Sequence, residues 1–401
     1  MRMPASIEEL RPTPVAARRL RLRRLWVRRV WVLTHLWLGV TLGVIGALVG
    51  VTGSVLVFDR AIDGVQNPQR YATSGKEIAL PYAEYAQRGA RVVGDGARVV
   101  NLRIPHEGET PVVVFVRASA NGSEGGAAGP LRRVYLDPPT GLVLDAPTQT
   151  GLIGWAHDFH ESLRLRDYNG REVVGVVGIA MLISSLSGVY LWWPRRRVRR
   201  KDFAFRRGAA MSRNLHLTLG IWGALVLAML SFTGIFLAFP DAGRASVGSF
   251  IAVSPSMRGL QAPESPDAKG RAITPDDAVA TARSRYAGST VAGIGFPAGF
   301  RGVYRIALRE AGDHSERGMT VVFIDPRSAA VLRQADPSSQ TRGDAFLAFM
   351  RPLHEGEALG IGGRIVIAFV GLLPALFVVT GTMMWLRSRR VRQPARHAAR
   401  G

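Results

Sequence analysis

Eight histidines and no cysteine set the chemistry open to this chain of 401 residues. Without cysteine there are no disulfides, thiolate nucleophiles, cysteine-ligated iron–sulfur clusters or covalently attached c-type haem, so any redox centre must be held by something else, and histidine is the obvious candidate. His106 and His314 lie in polar loops and His397 in a charged tail, and these three are read as solvated. The other five, His35, His157, His160, His216 and His354, stand at the ends of long apolar runs. His35 and His216 each open a stretch of 24 residues, HLWLGVTLGVIGALVGVTGSVLVF and HLTLGIWGALVLAMLSFTGIFLAF. Gly39 and Gly220, Thr52-Gly53 and Thr233-Gly234, and Phe58 and Phe239 fall at the same offsets in the two stretches. Hydropathy alone repeats Leu and Val; it does not place a histidine, two glycines and a threonine in register.

The remaining histidines follow the same repeat. His160-Glu161 precedes Gly170-Arg171 by ten residues and His354-Glu355 precedes Gly363-Arg364 by nine, which makes His160 the counterpart of His354. His157 then corresponds to Arg351. The symmetry predicts two pairs on opposite faces of a membrane, His35 with His216 and His160 with His354. Two neutral imidazoles facing each other in an apolar bundle are the donor set of a bis-histidine b-type haem, and nearby glycines admit a flat macrocycle. An ordinary reading stands beside this one. Span-end histidines serve as interfacial or hydrogen-bonded residues, and small residues promote plain helix packing in lipid. Ionisable residues in a span are nevertheless functional candidates. A bare metal ion has less support, because no acid or second histidine stands at i, i+3 or i+4 beside His35 or His216. His157 and His160 do have that spacing, which leaves a surface metal site there open. Arg164, Arg166, Arg171, Arg351 and Arg364 are placed either for haem propionates or for lipid phosphates.

The elements that must position these residues are four uncharged stretches, each near the length of about 20 residues that a bilayer requires. The boundaries read as a tail over 1–29, spans over 30–58, 171–194, 214–240 and 363–386, a short loop over 195–213, long exterior segments over 59–170 and 241–362, and a tail over 387–401. The net charge of +22 is not spread evenly: the tails and the short loop hold 24 basic and 3 acidic residues, and the long segments are nearly balanced. That is the positive-inside pattern, so both termini are expected in the cytoplasm. It also argues against a nucleic-acid partner, leaving the lipid bilayer as the partner of the basic tails. The first apolar run lacks a small-residue cleavage site and is read as a retained anchor.

Within the long segments RVVNLRIP, PVVVFVRA, VYLDPPTGLVLD, VYRIALRE and TVVFIDPRSAAVL read as strands, with a turn at Pro138-Pro139-Thr140-Gly141 and a flexible connection over Ser119–Gly129. A helix capped near Thr274 is expected in TPDDAVATARSRY. VFIDPRSAAVL echoes VYLDPPTGLVL. Ser187-Gly188 and Trp192 near the end of the second span match Thr380-Gly381 and Trp385 in the fourth. The fold class is therefore membrane α-helical, four transmembrane helices from a duplicated span–domain–span unit, with two α+β exterior modules.

With these motifs in view, the sequence resembles the PepSY-associated transmembrane family. The His-x3-Gly starts of spans one and three, Leu353-His354-Glu355, the WWPRRR end of span two and the VYLDPPTG and VFIDPRSA strands carry the resemblance, which covers nearly everything between the tails. It implies two periplasmic PepSY modules and, in one branch, di-haem reductases of ferric siderophores in the bacterial inner membrane. By position, the ligands of two haem b groups would be His35, His216, His160 and His354, with the extra His157 competing with His160 for the outer place. The expected activity is that of an oxidoreductase, a ferric-siderophore or ferric-chelate reductase. No flavin or nicotinamide fingerprint occurs in the short cytoplasmic segments, so the electron donor is expected to be quinol or a separate protein. A competing class is a non-enzymatic PepSY membrane anchor that binds or regulates a periplasmic protein or peptidase. A transporter subunit has less to recommend it, since four spans carry no conspicuous buried acid.

Overall fold

The computed structural model describes residues 14–105, 111–119, 129–148, 151–193, 204, 211–254, 272–299, 302–309, 319–337 and 340–397. His106 and His314, most of the Ser119–Gly129 connection and nearly all of the arginine-rich loop before 211 lie outside these residues. In chain order the elements are α1 (Pro14–Val40), α2 (Leu42–Leu56), α3 (Asp59–Gln66), α4 (Tyr82–Val93), β1 (Arg98–Arg103), β2 (Val112–Arg117), β3 (Leu131–Leu136), β4 (Val143–Asp145), α5 (Leu152–Ser162), α6 (Gly170–Trp192), α7 (Met211–Ala238), α8 (Pro240–Gly248), α9 (Pro275–Arg285), β5 (Thr290–Gly295), β6 (Tyr304–Arg309), β7 (Thr320–Ile324), β8 (Val331–Ala335), α10 (Arg342–Glu355), α11 (Gly360–Gly371) and α12 (Leu373–His397). They divide into two compact units.

The first unit holds α1, α2, α6, α7, α11 and α12, with the C-terminal parts of α5 and α10. Among the described residues, Gly170–Trp192, Met211–Ala238 and Glu357–Arg389 are each long and apolar enough to cross a membrane. The stretch expected as one span over 30–58 is a broken one: its two helical pieces, Arg21–Val40 and Leu42–Leu56, meet at a bend of 54°. The cause is local. Thr41 sends both its backbone N–H, at 3.0 Å, and its hydroxyl, at 2.7 Å, to the Trp37 carbonyl. The Val44 N–H then closes a tighter i+3 turn onto Thr41. Threonine hydroxyls that bond back into the preceding turn bend helices in this way. α6 and α12 each pack against both α2 and α7, so four helical columns surround a shared interior. Leu227, Val370 and Leu373 form a buried apolar cluster there, with Leu230 and Phe377 against it.

The second unit is built on one antiparallel sheet of eight strands in the order β4-β3-β2-β1-β5-β6-β7-β8. The two long segments, expected as separate modules, contribute four strands each, and their sheets join through the β1–β5 pairing of Asn101, Leu102 and Arg103 with Gly295, Ile294 and Gly293. α4 and α9 pack on the sheet, and side chains such as Tyr85, Leu102, Val114, Ile294, Ile306 and Val322 form the core. α9 begins at Thr274, whose hydroxyl accepts from the Asp277 N–H while the Asp277 carboxylate accepts from the Thr274 N–H, a capping box that satisfies two otherwise orphaned donors.

The two Asp-Pro motifs are equivalent turns. Asp137 N–H donates to Leu142 and Asp325 N–H to Ala330, both at 2.9 Å. Each turn needs a left-handed residue, supplied by Gly141 at φ 64° and by Ala329 at φ 56°. Asp137 also accepts from the Ser74 N–H and hydroxyl and from Thr140, bonds that hold its carboxyl below the ordinary range despite partial desolvation. Asp344 accepts from Ser254 and Thr341 and pairs with Arg244 at 3.1 Å. Desolvation raises its carboxyl, but the hydroxyl and backbone donors together outweigh that and push it down to about 2.

Candidate functional site: two facing histidine pairs

His35 and His216 face each other with ring centroids 6.3 Å apart and ring planes at 84°. His160 and His354 form a second pair, 6.2 Å apart at 56°. An imidazole nitrogen lies ~2 Å from a bound transition metal and ~1.1 Å from its own ring centroid, so two imidazoles on opposite sides of one iron have centroids ~6.2 Å apart. Both pairs meet that spacing.

The elements that bring the rings together repeat a single device four times. Each histidine lays its Cε1 edge against the glycine of a Ser-Gly or Thr-Gly dipeptide on a spanning helix. His35 meets Gly188, His160 meets Gly53, His216 meets Gly381 and His354 meets Gly234. A Cβ at these glycines would stand 3.2, 2.7, 3.3 and 3.2 Å from the respective Cε1, closer than ordinary carbon contacts.

The preceding hydroxyl takes part as well. Ser187 Oγ lies 3.0 Å from His35 Nδ1, Thr380 Oγ1 3.0 Å from His216 Nδ1, Thr233 Oγ1 2.9 Å from His354 Nδ1 and Thr52 Oγ1 3.5 Å from His160 Nδ1. Every one of these hydroxyls spends its own hydrogen on a backbone carbonyl one turn back, so toward the imidazole it can only accept. Nδ1 therefore carries the proton, and the lone pair of a neutral ring sits on Nε2. Two such rings, 6.3 or 6.2 Å apart, would offer two Nε2 donors to one metal.

Between His35 and His216 the helices leave a cavity of about 440 Å³, lined almost wholly by apolar side chains from α1, α6, α7 and α12. Gly39 and Gly220, one turn beyond the two histidines, line it, and a Cβ on either would meet no protein atom within 4 Å. The cavity thus opens beside the two donors, where a flat macrocycle would have to lie. Thr233, which meets His354, lies ~26 Å along α7 from His216 at 1.5 Å per residue, so the two pairs sit near opposite ends of that helix.

His157 is not brought to a pair. It is half exposed, and its Nδ1 lies 3.5 Å from Glu161 one turn on. His160 points the other way, into the bundle, with its Nδ1–H donating to the Val49 carbonyl at 2.8 Å. The i, i+3 spacing of the two histidines thus forms no joint site, and no cluster of three or more His, Cys, Asp or Glu placed for a metal ion occurs among the described residues. Arg364 caps the Val57 carbonyl, Arg171 the Leu237 carbonyl, Arg351 pairs with Glu355 at 2.8 Å, and Arg166 pairs with Asp158. Arg164 stands in the left-handed region at φ 60°.

Sequence reasoning placed the Ser/Thr-Gly dipeptides as marks of the repeat and missed what they do. The signal was present, since one such dipeptide recurs in each of the four apolar stretches.

The sequence profile of the PepSY-associated TM region matches residues 32–388, a stretch that includes all five histidines discussed above. No curated protein matches the chain.

Proposed function

The chain belongs to the family of the PepSY-associated TM region and is a multi-pass membrane protein, and on that premise we propose that it is an inner-membrane electron conduit holding two b-type haems. The observation that carries this reading is the pair of facing imidazole couples at the iron-spanning distance, 6.3 and 6.2 Å between centroids. In this reading His35 and His216 would hold one haem and His160 and His354 the other, each through Nε2. A haem so ligated supplies reversible one-electron transfer, and one at each end of the span links a donor on one side of the membrane to an acceptor on the other.

The chain's own residues do the rest. Hydrogen bonds at Nδ1 fix the ring orientation and keep each Nε2 lone pair directed inward. The apolar walls around His35 and His216 exclude water, and Gly39 and Gly220 leave the room that any side chain would fill. The excess of basic residues at the tails and short loop favours a cytoplasmic position for both termini, hence for the His35–His216 end. The donor is then quinol or a separate protein, and the acceptor a periplasmic ferric siderophore or other ferric chelate. One electron converts Fe(III) to Fe(II), and the hard oxygen donors that favour Fe(III) hold the product far less well. The protein is on this account an oxidoreductase in iron uptake.

The test is a pyridine haemochrome assay with a reduced spectrum of the detergent-purified protein. Two extractable b-type haems per chain are expected. His216→Ala and His354→Ala should each leave one, whereas His157→Ala should leave both. A wild-type protein that carries no haem would sink the reading, and the sheet-bearing membrane anchor that regulates a periplasmic protein or peptidase would replace it.

A further inference from the structure

The four hydroxyl–histidine contacts are not equivalent, and the difference singles out one residue. His160 Nδ1 has the Val49 carbonyl at 2.8 Å, with Thr52 only at 3.5 Å. His35 Nδ1 has the Ser184 carbonyl at 3.1 Å in addition to Ser187 at 3.0 Å. His354 has Thr233 at 2.9 Å, with the Leu230 carbonyl also at hand. His216 has Thr380 Oγ1 at 3.0 Å, with no bond to a backbone carbonyl among the described residues. Each of the three carbonyls stands three residues before its dipeptide's hydroxyl. The matching carbonyl for His216 is that of Phe377, which lies 3.5 Å from Thr380 Oγ1, and the Phe377 ring packs on the imidazole with centroids 5.2 Å apart.

We propose that Thr380 is a positioning residue that sets both the tautomer of His216 and the electron affinity of the His35–His216 site. This rests on the reading of the histidine pairs as haem sites. The physical argument is short. An acceptor at Nδ1 draws that proton outward and leaves Nε2 the stronger donor, and a stronger axial donor favours the ferric state of the iron it holds. Where a carbonyl shares the Nδ1 proton, losing the hydroxyl leaves the ring still anchored. For His216 no bonded carbonyl stands behind Thr380 among the described residues. Thr380 is itself held, 3 % exposed and donating its hydrogen to the Leu376 carbonyl at 2.7 Å, so its lone pair is aimed before any cofactor arrives.

Redox titration of the full-length protein, followed at the two b-type absorption bands, tests this. Thr380→Val keeps the shape and removes the acceptor. It should shift the ferric–ferrous equilibrium of one haem about tenfold toward ferrous, ~59 mV upward for one electron, and leave the other haem in place. Thr380→Ser should restore the wild-type value. Ser187→Ala and Thr52→Val, which remove hydroxyls backed by carbonyls, should shift their sites less than about threefold, roughly 30 mV. Loss of one haem from Thr380→Val but not from Thr380→Ser would support the same role. The proposal is overturned if Thr380→Val, with both haems present, moves the potential no more than Ser187→Ala does. Displacement of both haems together, or loss of haem from Thr380→Ser as well, would overturn it too, since packing rather than an acceptor would then be at work. A wild-type protein with no haem is a different result: it removes the haem reading itself, and this inference with it.

Discussion

Gly53→Ala is the substitution for which the geometry makes the sharpest demand. Its Cβ would stand 2.7 Å from His160 Cε1 and 3.1 Å from Nδ1. Carbon atoms rest at about 3.5–4.0 Å, so the ring must retreat by roughly 0.8 Å or more. The His160–Val49 bond, now 2.8 Å, cannot survive such a move, because beyond about 3.5 Å it is no longer a hydrogen bond. Loss of that bond costs about 1–1.5 kcal/mol, and the 6.2 Å separation from His354 changes as well. At about 1.4 kcal/mol per decade, haem affinity at the His160–His354 site should fall about five- to twelvefold. The other three glycines are less exacting: at Gly188, Gly234 and Gly381 the new Cβ would sit 3.2, 3.2 and 3.3 Å from its imidazole, which a shift of a few tenths relieves. The assay is haem titration of the apoprotein with haemin, read at the Soret band, with far-UV circular dichroism to show that the helices are intact. Gly53→Ala should weaken one of two sites and should be the most damaging of the four alanine variants. Equal binding by Gly53→Ala and wild type, or a larger loss from Gly234→Ala, would refute the reasoning.

Three further expectations concern the rest of the molecule. Reporter fusions after Arg117 and after Ala335 should report the periplasm and a fusion after Lys201 the cytoplasm; a cytoplasmic signal from either long segment would reverse the assignment of sides. Ala329→Gly should stabilise the protein by about 0.5–1 kcal/mol in thermal unfolding, since it relieves a left-handed alanine at φ 56°, and Gly141→Ala at φ 64° should destabilise it. Equal melting temperatures for both variants and wild type would mean that the turns are not formed as described. Asp344 is held at about 2, below an unfolded value of about 3.9, so its bonds to Ser254, Thr341 and Arg244 stabilise the fold fully above about pH 4 and are lost as pH falls through about 2. Asp344→Asn should flatten that acid limb of a stability–pH curve; an unchanged curve would show that the carboxylate contributes nothing.

Much of this protein is legible in one dimension. Long apolar runs, the charge asymmetry around them and the register of two histidine-headed stretches are properties of residue order, and each survives whatever the helices later do. The repeat offset also makes His160 rather than His157 the counterpart of His354, though His157 competes for the outer place until packing leaves it half exposed and turns His160 onto the Val49 carbonyl. The strands with strong β-branched alternation, such as Val112–Arg117, and the Thr274 cap are likewise local.

Other features were decided only when the chain packed. β5 reads TVAGIG, whose glycines weaken any strand signal, and it is a strand because β1 and β6 flank it and supply its ladder. That pairing, between residues nearly 200 apart in sequence, is what makes one sheet of two segments. The bend at Thr41 depends on where a single hydroxyl finds its carbonyl. Above all, the sequence shows four Ser/Thr-Gly dipeptides and four histidines but not which belongs to which. His35 on α1 is served by its neighbour α6 and His216 on α7 by its neighbour α12, while His160 meets α2 and His354 meets α7. Whether a hydroxyl or a backbone carbonyl accepts from each Nδ1 is finer still, set by how the helices pack against each other, and no spacing along the chain encodes it.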